Sequence, residues 1–496
     1  MLWPLVLLLA QSAGTLDLHL TSAGKPTAAR VYILDPSGHP LRIPGAVIYS
    51  RRGETTSYVD GNAAFPLHPG KYQLRAEKGL EYRKAAQDVE IHSNQTAQVT
   101  LDLPHLFNMN AQGWYSGDLH NHRSPADMPL VARAEDLNIS PIITRHVGGP
   151  NRQTVPPFPA QNLIEVDATH IVSLHNQEVE RLYQGHGAID LLNASTPVAV
   201  PQFDLFPMDV EYCRQARRDR AFCDAEKPIW KNTPVDVAFG MVDAIGVVNN
   251  HFHPDEVMTD AEKYGSMPQD KPEYKTPAGF AQWVMNLYYS FLNCGFQLPV
   301  SAGSASGVMN SWPGYERVYV HLDGPFSYEN WFHALKLGQS FATNGPILLV
   351  TANGQLPGTE FEWKKPMAVK LSIEAQSQDP IDRIEIVQDG EVTRTIRGEL
   401  RTTINLKLDH PGWLAVRCFE PAGVTVRYAH TTPFWFVHDE HLPVHKADAQ
   451  RWAAYVDELA ASVKTEQYPS QVDYDKALET FHMAAQIYRT LAQRGQ

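Results

Sequence analysis

The middle of this 496-residue chain alternates short apolar runs with helical stretches, and this alternation constrains the fold more than any other feature. The apolar runs have the length and composition of buried strands, and the most distinct are 141–144, 170–174 and 244–248. Residues 128–137 and 279–294 carry the pattern of helices. Strands that alternate with helices favour a parallel sheet, and the roughly 240 residues from 105 to 345 suit a barrel.

The segments on either side of this region are typical of antiparallel β-domains. Residues 15–104 contain short alternating runs separated by turns, and the pieces 69–72 and 79–82 resemble carboxypeptidase-regulatory or transthyretin-like modules. Residues 346–440 alternate again, with a hairpin turn at Asp389-Gly390, and predict a second β-sandwich of the immunoglobulin-like kind.

The C-terminal residues 441–496 predict a pair of amphipathic helices, because apolar side chains recur there at helical spacing. These side chains are Trp452, Val456, Leu459 and Val463, followed by Leu478, Phe481, Ala485, Tyr488 and Leu491. The predicted fold class is therefore multidomain, α/β plus β. A central (β/α) barrel is flanked by two β-sandwich domains and a C-terminal helical pair.

Charge and the N-terminus limit the possible partners and the compartment. The net charge of -13 argues against nucleic acid as a partner, since phosphate binding needs concentrated Lys and Arg. Residues 1–14 predict a signal peptide, because the first nine are almost wholly apolar and small residues follow them. A buried first strand is the alternative. No later apolar run is long enough for a transmembrane segment, so an exported protein is expected.

Cysteine usage agrees with a large globular protein in an oxidising compartment. Four cysteines are too few for a disulfide framework in a chain of this length. Cys213 and Cys223 are close enough in sequence to form one bond after export. Cys294 and Cys418 are predicted to be buried thiols.

Two histidines one residue apart follow a short apolar-aromatic run at 113–117. Residues two apart on a strand point to the same face, so His120 and His122 can aim at one divalent metal ion. His170 and His175 flank the third strand-like run and are expected to be core or surface histidines. Further histidines, most of them after strand-like runs, are His146, His186, His251 and His253. Because the C-terminal ends of barrel strands meet at one mouth, these histidines are expected to converge.

A histidine-rich site of this kind predicts metal-assisted hydrolysis. Neutral imidazole binds zinc, iron and manganese, and Glu178 is the candidate carboxylate that would complete the site. A metal in such a site activates water and polarises a carbonyl or phosphoryl oxygen. The sequence contains no phosphate loop, dinucleotide-binding motif or Gly-x-Ser-x-Gly nucleophile elbow, so other reaction classes have no comparable signal.

The run 117–122 resembles the first motif of the polymerase-and-histidinol-phosphatase (PHP) superfamily. The central region resembles most the CehA/McbA family of PHP metallohydrolases, through the stretches 113–128, 134–138, 249–254, 292–295, 301–307 and 343–346. This resemblance covers about half of the chain. It implies that the central barrel, residues 105–345, is a distorted PHP-like (β/α) barrel with a metal site in its mouth.

The resemblance also implies the ligands, residue by residue. They are His120, His122, His146, Glu178 and His186, together with His251 or His253, which the sequence does not separate. Glu178 matches a carboxylate that usually bridges two metals. Asp127 is expected as an extra ligand or as a hydrogen-bond partner of a ligand. Arg145 is expected near the metals, where it binds an anionic substrate group or offsets a missing metal charge.

One departure from the PHP pattern lies at 303–307. Many PHP proteins close the site with Gly-Ser-Asp-x-His, whereas this chain has Gly-Ser-Ala-Ser-Gly. The sequence predicts an exported hydrolase that uses divalent Zn, Mn or Fe to cleave a small ester, amide, carbamate or phosphoester. The alternative is a non-catalytic PHP-like binding protein with a degenerate metal site. In both cases the β-sandwiches could contact glycans or other proteins.

Overall fold

Leucine occupies every second position from 16 to 20 in the first strand, and Leu16, Leu18 and Leu20 are all buried. The computed structural model describes residues 12–51, 54–147, 156–181, 186–199, 203, 205–259, 268 and 270–495. Residues 1–11 of the predicted signal peptide lie outside the described residues. The first strand begins at Gly14. The chain divides into two compact units: Met1–Met109 with Ala126–Leu137, and Asn110–Pro125 with Asn138–Gln496.

The first unit contains nine described strands and one helix. They are β1 Gly14–Ser22, β2 Lys25–Pro26, β3 Ala28–Leu34, β4 Val47–Arg51, β5 Glu54–Asp60, β6 Asn62–Leu67, β7 Gly70–Glu77, β8 Ala85–Ile91, β9 Thr96–Asp102 and α1 Met128–Ala134. One sheet has the order β2-β1-β6 with β9 parallel to β1, and the other has the order β4-β5-β3-β7-β8. Both sheets contribute to one hydrophobic core, which agrees with the two-sheet domain predicted for this segment.

The second unit contains the remaining strands. They are β10 Trp114–Gly117, β11 Ile139–Val147, β12 Leu163–Glu165, β13 Ile171–Arg181, β14 Gly187–Leu192, β15 Phe222–Ala225, β16 Ala244–Asn249, β17 Val300–Gly303, β18 Arg317–His321, β19 Ser340–Thr343, β20 Ile347–Ala352, β21 Glu360–Glu362, β22 Met367–Gln376, β23 Arg383–Gln388, β24 Glu391–Ile396, β25 Arg401–Leu408, β26 Gly412–Phe419, β27 Tyr428–Thr431 and β28 Phe434–Val437. The protein is therefore mostly β, with several sheets.

Six helices belong to the second unit, which gives seven α-helices in the part of the chain that the structure describes. They are α2 Asp209–Arg218, α3 Thr233–Ala238, α4 Pro277–Leu292, α5 Tyr328–Lys336, α6 Lys446–Ser462 and α7 Gln471–Arg494. Among the helices described, none combines the length and the apolar composition that crossing a membrane requires.

Seven strands of the second unit form a closed circuit of backbone hydrogen bonds. β10, β11 and β13 to β17 pair in that order. The segment after β10 closes the circuit by bonding to β17 and to the residues that follow β17. Leu119 N donates to Ala302 O at 3.1 Å, and His122 N donates to Ser306 O at 2.8 Å. The residues that follow β10 are thus held between β11 on one side and β17 on the other.

The prediction of a purely parallel sheet is wrong for part of this circuit. β14 runs antiparallel to both β13 and β15, whereas β10–β11, β11–β13, β15–β16 and β16–β17 are parallel pairs. β13 ends at Arg181 and β14 begins at Gly187, which leaves a connection too short for the crossover that a parallel pair needs. The helix expected at 128–137 is present but groups with the first unit.

The remaining strands extend the same sheet away from the circuit. β18 pairs with both β10 and β19, and β19 pairs with β27, so the sheet continues through β26 and β23 to β24. A separate sheet of order β20-β22-β25 comes from the same C-terminal segment. Residues 346–440 thus form two sheets, as their alternation predicts, but one of them is continuous with the sheet of the closed circuit.

The C-terminal helices predicted from apolar spacing are present as α6 and α7, and their predicted apolar residues are buried or half-buried. The Trp452 ring stacks on Phe291 at 4.6 Å, and its Nε1 donates to Ser290 Oγ at 3.0 Å. Tyr488 donates its hydroxyl to the Pro234 carbonyl at 2.7 Å. Both helices are therefore packed on the body of the second unit.

The cysteines lie as the sequence suggests. Cys213 in α2 and Cys223 in β15 form a disulfide. Cys294 and Cys418 are buried free thiols.

Candidate metal centre

The His-x-His segment follows β10 in extended conformation. Asn121 bridges in parallel to Ile142 on one side and to Ser306 on the other, and its carbonyl accepts from Ile143 N at 2.7 Å. Since alternate residues of an extended segment share a face, His120 and His122 point the same way and their rings lie side by side. Both side chains are almost fully buried.

Three imidazole nitrogens converge on one carboxylate oxygen. Oε2 of Glu178 lies 3.4 Å from Nε2 of His120, 3.2 Å from Nε2 of His122 and 3.5 Å from Nε2 of His146. The Nε2 atoms of His120 and His122 are 2.8 Å apart. Oε2 of Glu178 is buried and has no hydrogen-bond partner. A buried carboxylate oxygen that three imidazole nitrogens approach without an aligned hydrogen bond is an arrangement that a cation can stabilise once it replaces the imidazole protons.

A second carboxylate joins this cluster at its open side. Glu178 and Glu180 share a face of β13, and Oε2 of Glu180 lies 2.6 Å from Nε2 of His146. The His146 side chain is 38% exposed, whereas that of Glu178 is 4% exposed. Glu178 therefore belongs to two donor groups, one with His120 and His122 and the other with His146 and Glu180. A small molecule would reach the cluster from the His146 side.

The electrostatics of the cluster favour positive charge beside Glu178, whether protons or a metal cation supply it. Burial by itself raises the pKa of Glu178, but His120 and His122 outweigh it and hold that pKa well below the usual range. Burial lowers the pKa of His120, but Asp190, Glu178 and Glu226 outweigh it and raise that pKa well above the usual range. Glu178 is thus ionised at neutral pH, and a cation that binds His120 must displace a proton from it.

The pKa values of the other two histidines of the cluster shift in opposite directions. Burial lowers the pKa of His122. The hydrogen bond to Glu180 is the main cause that raises the pKa of His146, to about 9. His146 therefore carries a proton at neutral pH unless a cation replaces that proton.

The structure does not bring His186, His251 and His253 into the donor groups around Glu178. His186 lies 3.4 Å from Glu466 Oε1, and its pKa falls to about 4, mainly through burial and then through the charge of Lys231. His251 bonds through Nδ1 to the Met258 carbonyl at 2.9 Å, and His253 contacts Met258 Sδ at 2.9 Å. A ligand role for these three histidines stays a prediction.

Arg145 and Asp127 do not belong to the donor groups either. Arg145 alternates with His146 along β11, and its guanidinium donates to the carbonyls of Pro156 and Val198. It lies 5.8 Å from the centre of the Phe158 ring. Asp127 belongs to the first unit, where it immediately precedes α1. Neither residue is placed among the donors, and the roles expected for them stay predictions.

Sequence reasoning missed four acidic residues near the histidines. Glu180 is a ligand candidate, and Asp190, Asp224 and Glu226 are buried on β14, on β15 and just after β15. A signal existed for all four. Glu178-x-Glu180 and Asp224-x-Glu226 repeat the spacing of His120-x-His122, and Asp190 interrupts an otherwise apolar run. An acid inside a buried strand needs a partner, so its presence there indicates a site.

The loop 303–307, which lacks the closing Asp-x-His, holds the His-x-His segment in place. The Asp118 carboxylate accepts from His120 N at 3.1 Å, from Ser304 N at 2.9 Å, from Ser304 Oγ at 2.5 Å and from Gly314 N at 2.7 Å. A Cβ added at Gly307 would lie 2.8 Å from the His122 carbonyl oxygen. The serines and glycines of this loop therefore position backbone atoms.

Replacing Gly303 with alanine is expected to displace His120, because the new Cβ would lie 2.5 Å from the His120 Cβ. We expect a loss of about 1–3 kcal/mol in the free energy of unfolding from overpacking, together with weaker binding of Zn²⁺. Thermal unfolding and chelator competition measure the two effects. Gly324→Ala is the matched control, since a Cβ there meets no atom within 4 Å. Equal results for the two variants would contradict the prediction.

Comparisons with known proteins do not extend this description. No protein-family model matches the chain, and no curated protein matches it. Among solved structures, a minor pilin of Streptococcus agalactiae is 23% identical over 20% of this chain and 47% of the pilin, with a TM-score of 0.17. This chain thus spans about half the length of that pilin. The Bacillus anthracis TIE protein is 8% identical to this chain, over 87% of this chain and 51% of the TIE protein, with a TM-score of 0.14. Similarities this weak carry no structural argument.

Proposed function

We propose that this protein is an exported metal-dependent hydrolase with a PHP-like barrel, which cleaves a small ester, amide, carbamate or phosphoester. One observation carries the proposal. The buried Oε2 of Glu178 lacks a hydrogen-bond donor and lies within 3.5 Å of Nε2 in His120, His122 and His146. The resemblance of 117–122 to the first PHP motif and the closed circuit of seven strands support the barrel.

The residues present fit one or two divalent cations. His120, His122 and Glu178 would hold one, and His146, Glu178 and Glu180 would hold another. Nitrogen and carboxylate donors of this kind suit Zn, Mn or Fe. A divalent cation bound there supplies Lewis acidity, which polarises a carbonyl or phosphoryl oxygen and acidifies water.

The side chains of the cluster would have separate roles in proton transfer and in positioning. With one cation held by His120, His122 and Glu178, the Glu180 carboxylate at the open side would be free to accept the proton that a nucleophilic water loses. With a second cation bound, Glu180 and His146 would be ligands instead. His120 and His122 are fixed by the backbone bonds of Asn121 and His122, so the donors do not have to be ordered when substrate binds.

Two features support export. The almost wholly apolar segment Met1–Leu9 agrees with a signal peptide. The disulfide between Cys213 and Cys223 is a bond that oxidising compartments maintain.

Metal analysis of the purified full-length protein, followed by assays with chromogenic esters, amides and phosphodiesters in the presence of Zn, Mn or Fe, tests the function. We expect bound metal and turnover of at least one substrate, with both lost in His120→Ala. His175→Ala is the matched control, because His175 bonds to the Pro159 carbonyl at 2.8 Å and lies outside the donor groups. Metal without turnover would favour the binding-protein alternative, and a protein that takes up no metal and turns over no substrate would rule out the hydrolase.

A further inference from the structure

The side of the His120 ring that faces away from Glu178 meets two buried carboxylates. Nδ1 of His120 lies 3.1 Å from Oε1 of Glu226 and 3.4 Å from Oδ2 of Asp190. Nε2 of the same ring faces His122 and Glu178. The two ring nitrogens therefore face different partners: carboxylates at Nδ1, and the candidate metal donors at Nε2.

Glu226 is the better fixed of the two carboxylates. Its Oε1 is 2.5 Å from the Lys227 ammonium, and its Oε2 accepts from Trp230 Nε1 at 3.1 Å. Asn250 Nδ2 also lies 3.4 Å from Oε1. Neither carboxylate oxygen of Asp190 has a hydrogen-bond partner. A carboxylate held by several donors keeps its position, so Glu226 can determine the orientation of the ring beside it.

We propose that Glu226 is a positioning residue, which accepts a hydrogen bond from Nδ1–H of His120 and so leaves Nε2 free to bind metal. A neutral imidazole carries one proton, and the partner of one nitrogen decides which nitrogen can act as a ligand. Nδ1 has no aligned hydrogen bond in the structure, but the distance to Glu226 is already 3.1 Å, so the ring needs only to reorient. This inference rests on the proposed metal site.

The test compares Zn²⁺ dissociation constants, measured by chelator competition, for the full-length protein and three amide variants. Glu226→Gln is expected to weaken Zn²⁺ binding by about 10- to 100-fold, the usual cost of losing a carboxylate behind a histidine ligand. Asp190→Asn is expected to have a smaller effect. Asp224→Asn is the matched control, since Asp224 lies two residues before Glu226 and its carboxylate accepts from Ser301 Oγ at 2.6 Å. The affinity of Asp224→Asn for Zn²⁺ should stay within about threefold of wild type.

A second measurement needs no variant of Glu226. NMR of protein labelled with ¹⁵N-histidine and saturated with Zn²⁺ should show the His120 ring protonated at Nδ1, with the signal assigned by its absence in His120→Ala. A ring protonated at Nε2 would overturn the inference. So would wild-type affinity in Glu226→Gln, or a larger loss in Asp190→Asn than in Glu226→Gln. In these cases the proposed function would stand, whereas a wild-type protein that binds none of Zn²⁺, Mn²⁺ and Fe²⁺ would remove both.

Discussion

Replacing Glu178 with glutamine is expected to lower the affinity for Zn²⁺ or Mn²⁺ by more than about 100-fold, the upper cost of losing a group that only supports a ligand. Glu178 supplies the one oxygen that lies within 3.5 Å of three histidine Nε2 atoms, and it belongs to both donor groups. An amide is uncharged, so every cation in the cluster would lose its main counter-charge. Chelator competition measures the affinity, and initial rates measure any hydrolysis.

Two further variants test whether the loss of metal affinity is specific to Glu178. Glu180→Gln changes a carboxylate of one donor group only, and we expect a smaller loss of affinity. Glu165→Gln, on the exposed part of β12, should change neither affinity nor rate. A Glu178→Gln variant that binds metal as tightly as wild type would show that the convergence of histidines on Glu178 has another purpose.

Replacing Arg30 with methionine is expected to destabilise the first unit by about 3–5 kcal/mol, because two buried carboxylates would lose the guanidinium that lies between them. Arg30 is 2% exposed and lies between Glu77, at 2.7 Å, and Glu135. Tyr58 also donates to Glu135, at 2.7 Å. Methionine fills much of the volume of arginine, so the loss measured would come mainly from removing the guanidinium charge.

Hydrogen exchange of β3 and β7 peptides, measured on the full chain by mass spectrometry, reports the stability of this unit. Arg133→Met is the control, since its pair with Asp60 is partly exposed and should contribute no more than about 1 kcal/mol. Protection of β3 equal to wild type in Arg30→Met would contradict the prediction.

The same ion pair should make the first unit sensitive to acid. Burial by itself raises the pKa of Glu77, but Arg30 first, and then Lys84 and Arg75, outweigh it and lower that pKa below the usual value. A carboxylate with a lowered pKa in the folded state contributes stability above the pKa of the unfolded state. That contribution is lost as the pH falls through the folded pKa. The difference in protection between wild type and Arg30→Met should therefore shrink below about pH 4.

The parts of the site that the sequence predicts are those encoded by local spacing. His120, His122, His146 and Glu178 each follow or belong to a strand-like run, and the structure brings all four together. Their convergence needs only strands whose ends meet. The two-sheet pattern of 15–104 and the helices α6 and α7 follow from local periodicity in the same way.

The parts that the sequence could not give depend on contacts between distant residues. His186 carries the expected Gly-His pattern, yet it lies against Glu466, which is 280 residues away. Glu226 becomes important only because β14, β15 and the segment after β10 place it behind His120. The antiparallel course of β14 depends on a short connection, whereas the sequence pattern reports only that a buried strand is present.

The pairing of β19 with β27 has a practical consequence for how this protein can be divided. A chain shortened to end near Gly345 would keep every ligand candidate but would remove β27, the hydrogen-bonding neighbour of β19. The buried strand Ser340–Thr343 would then present an open row of backbone donors and acceptors to solvent. Open edges of this kind recruit strands from other chains. The shortened chain is therefore expected to aggregate, so the C-terminal strands act as a permanent cover for the edge of the sheet that carries the site.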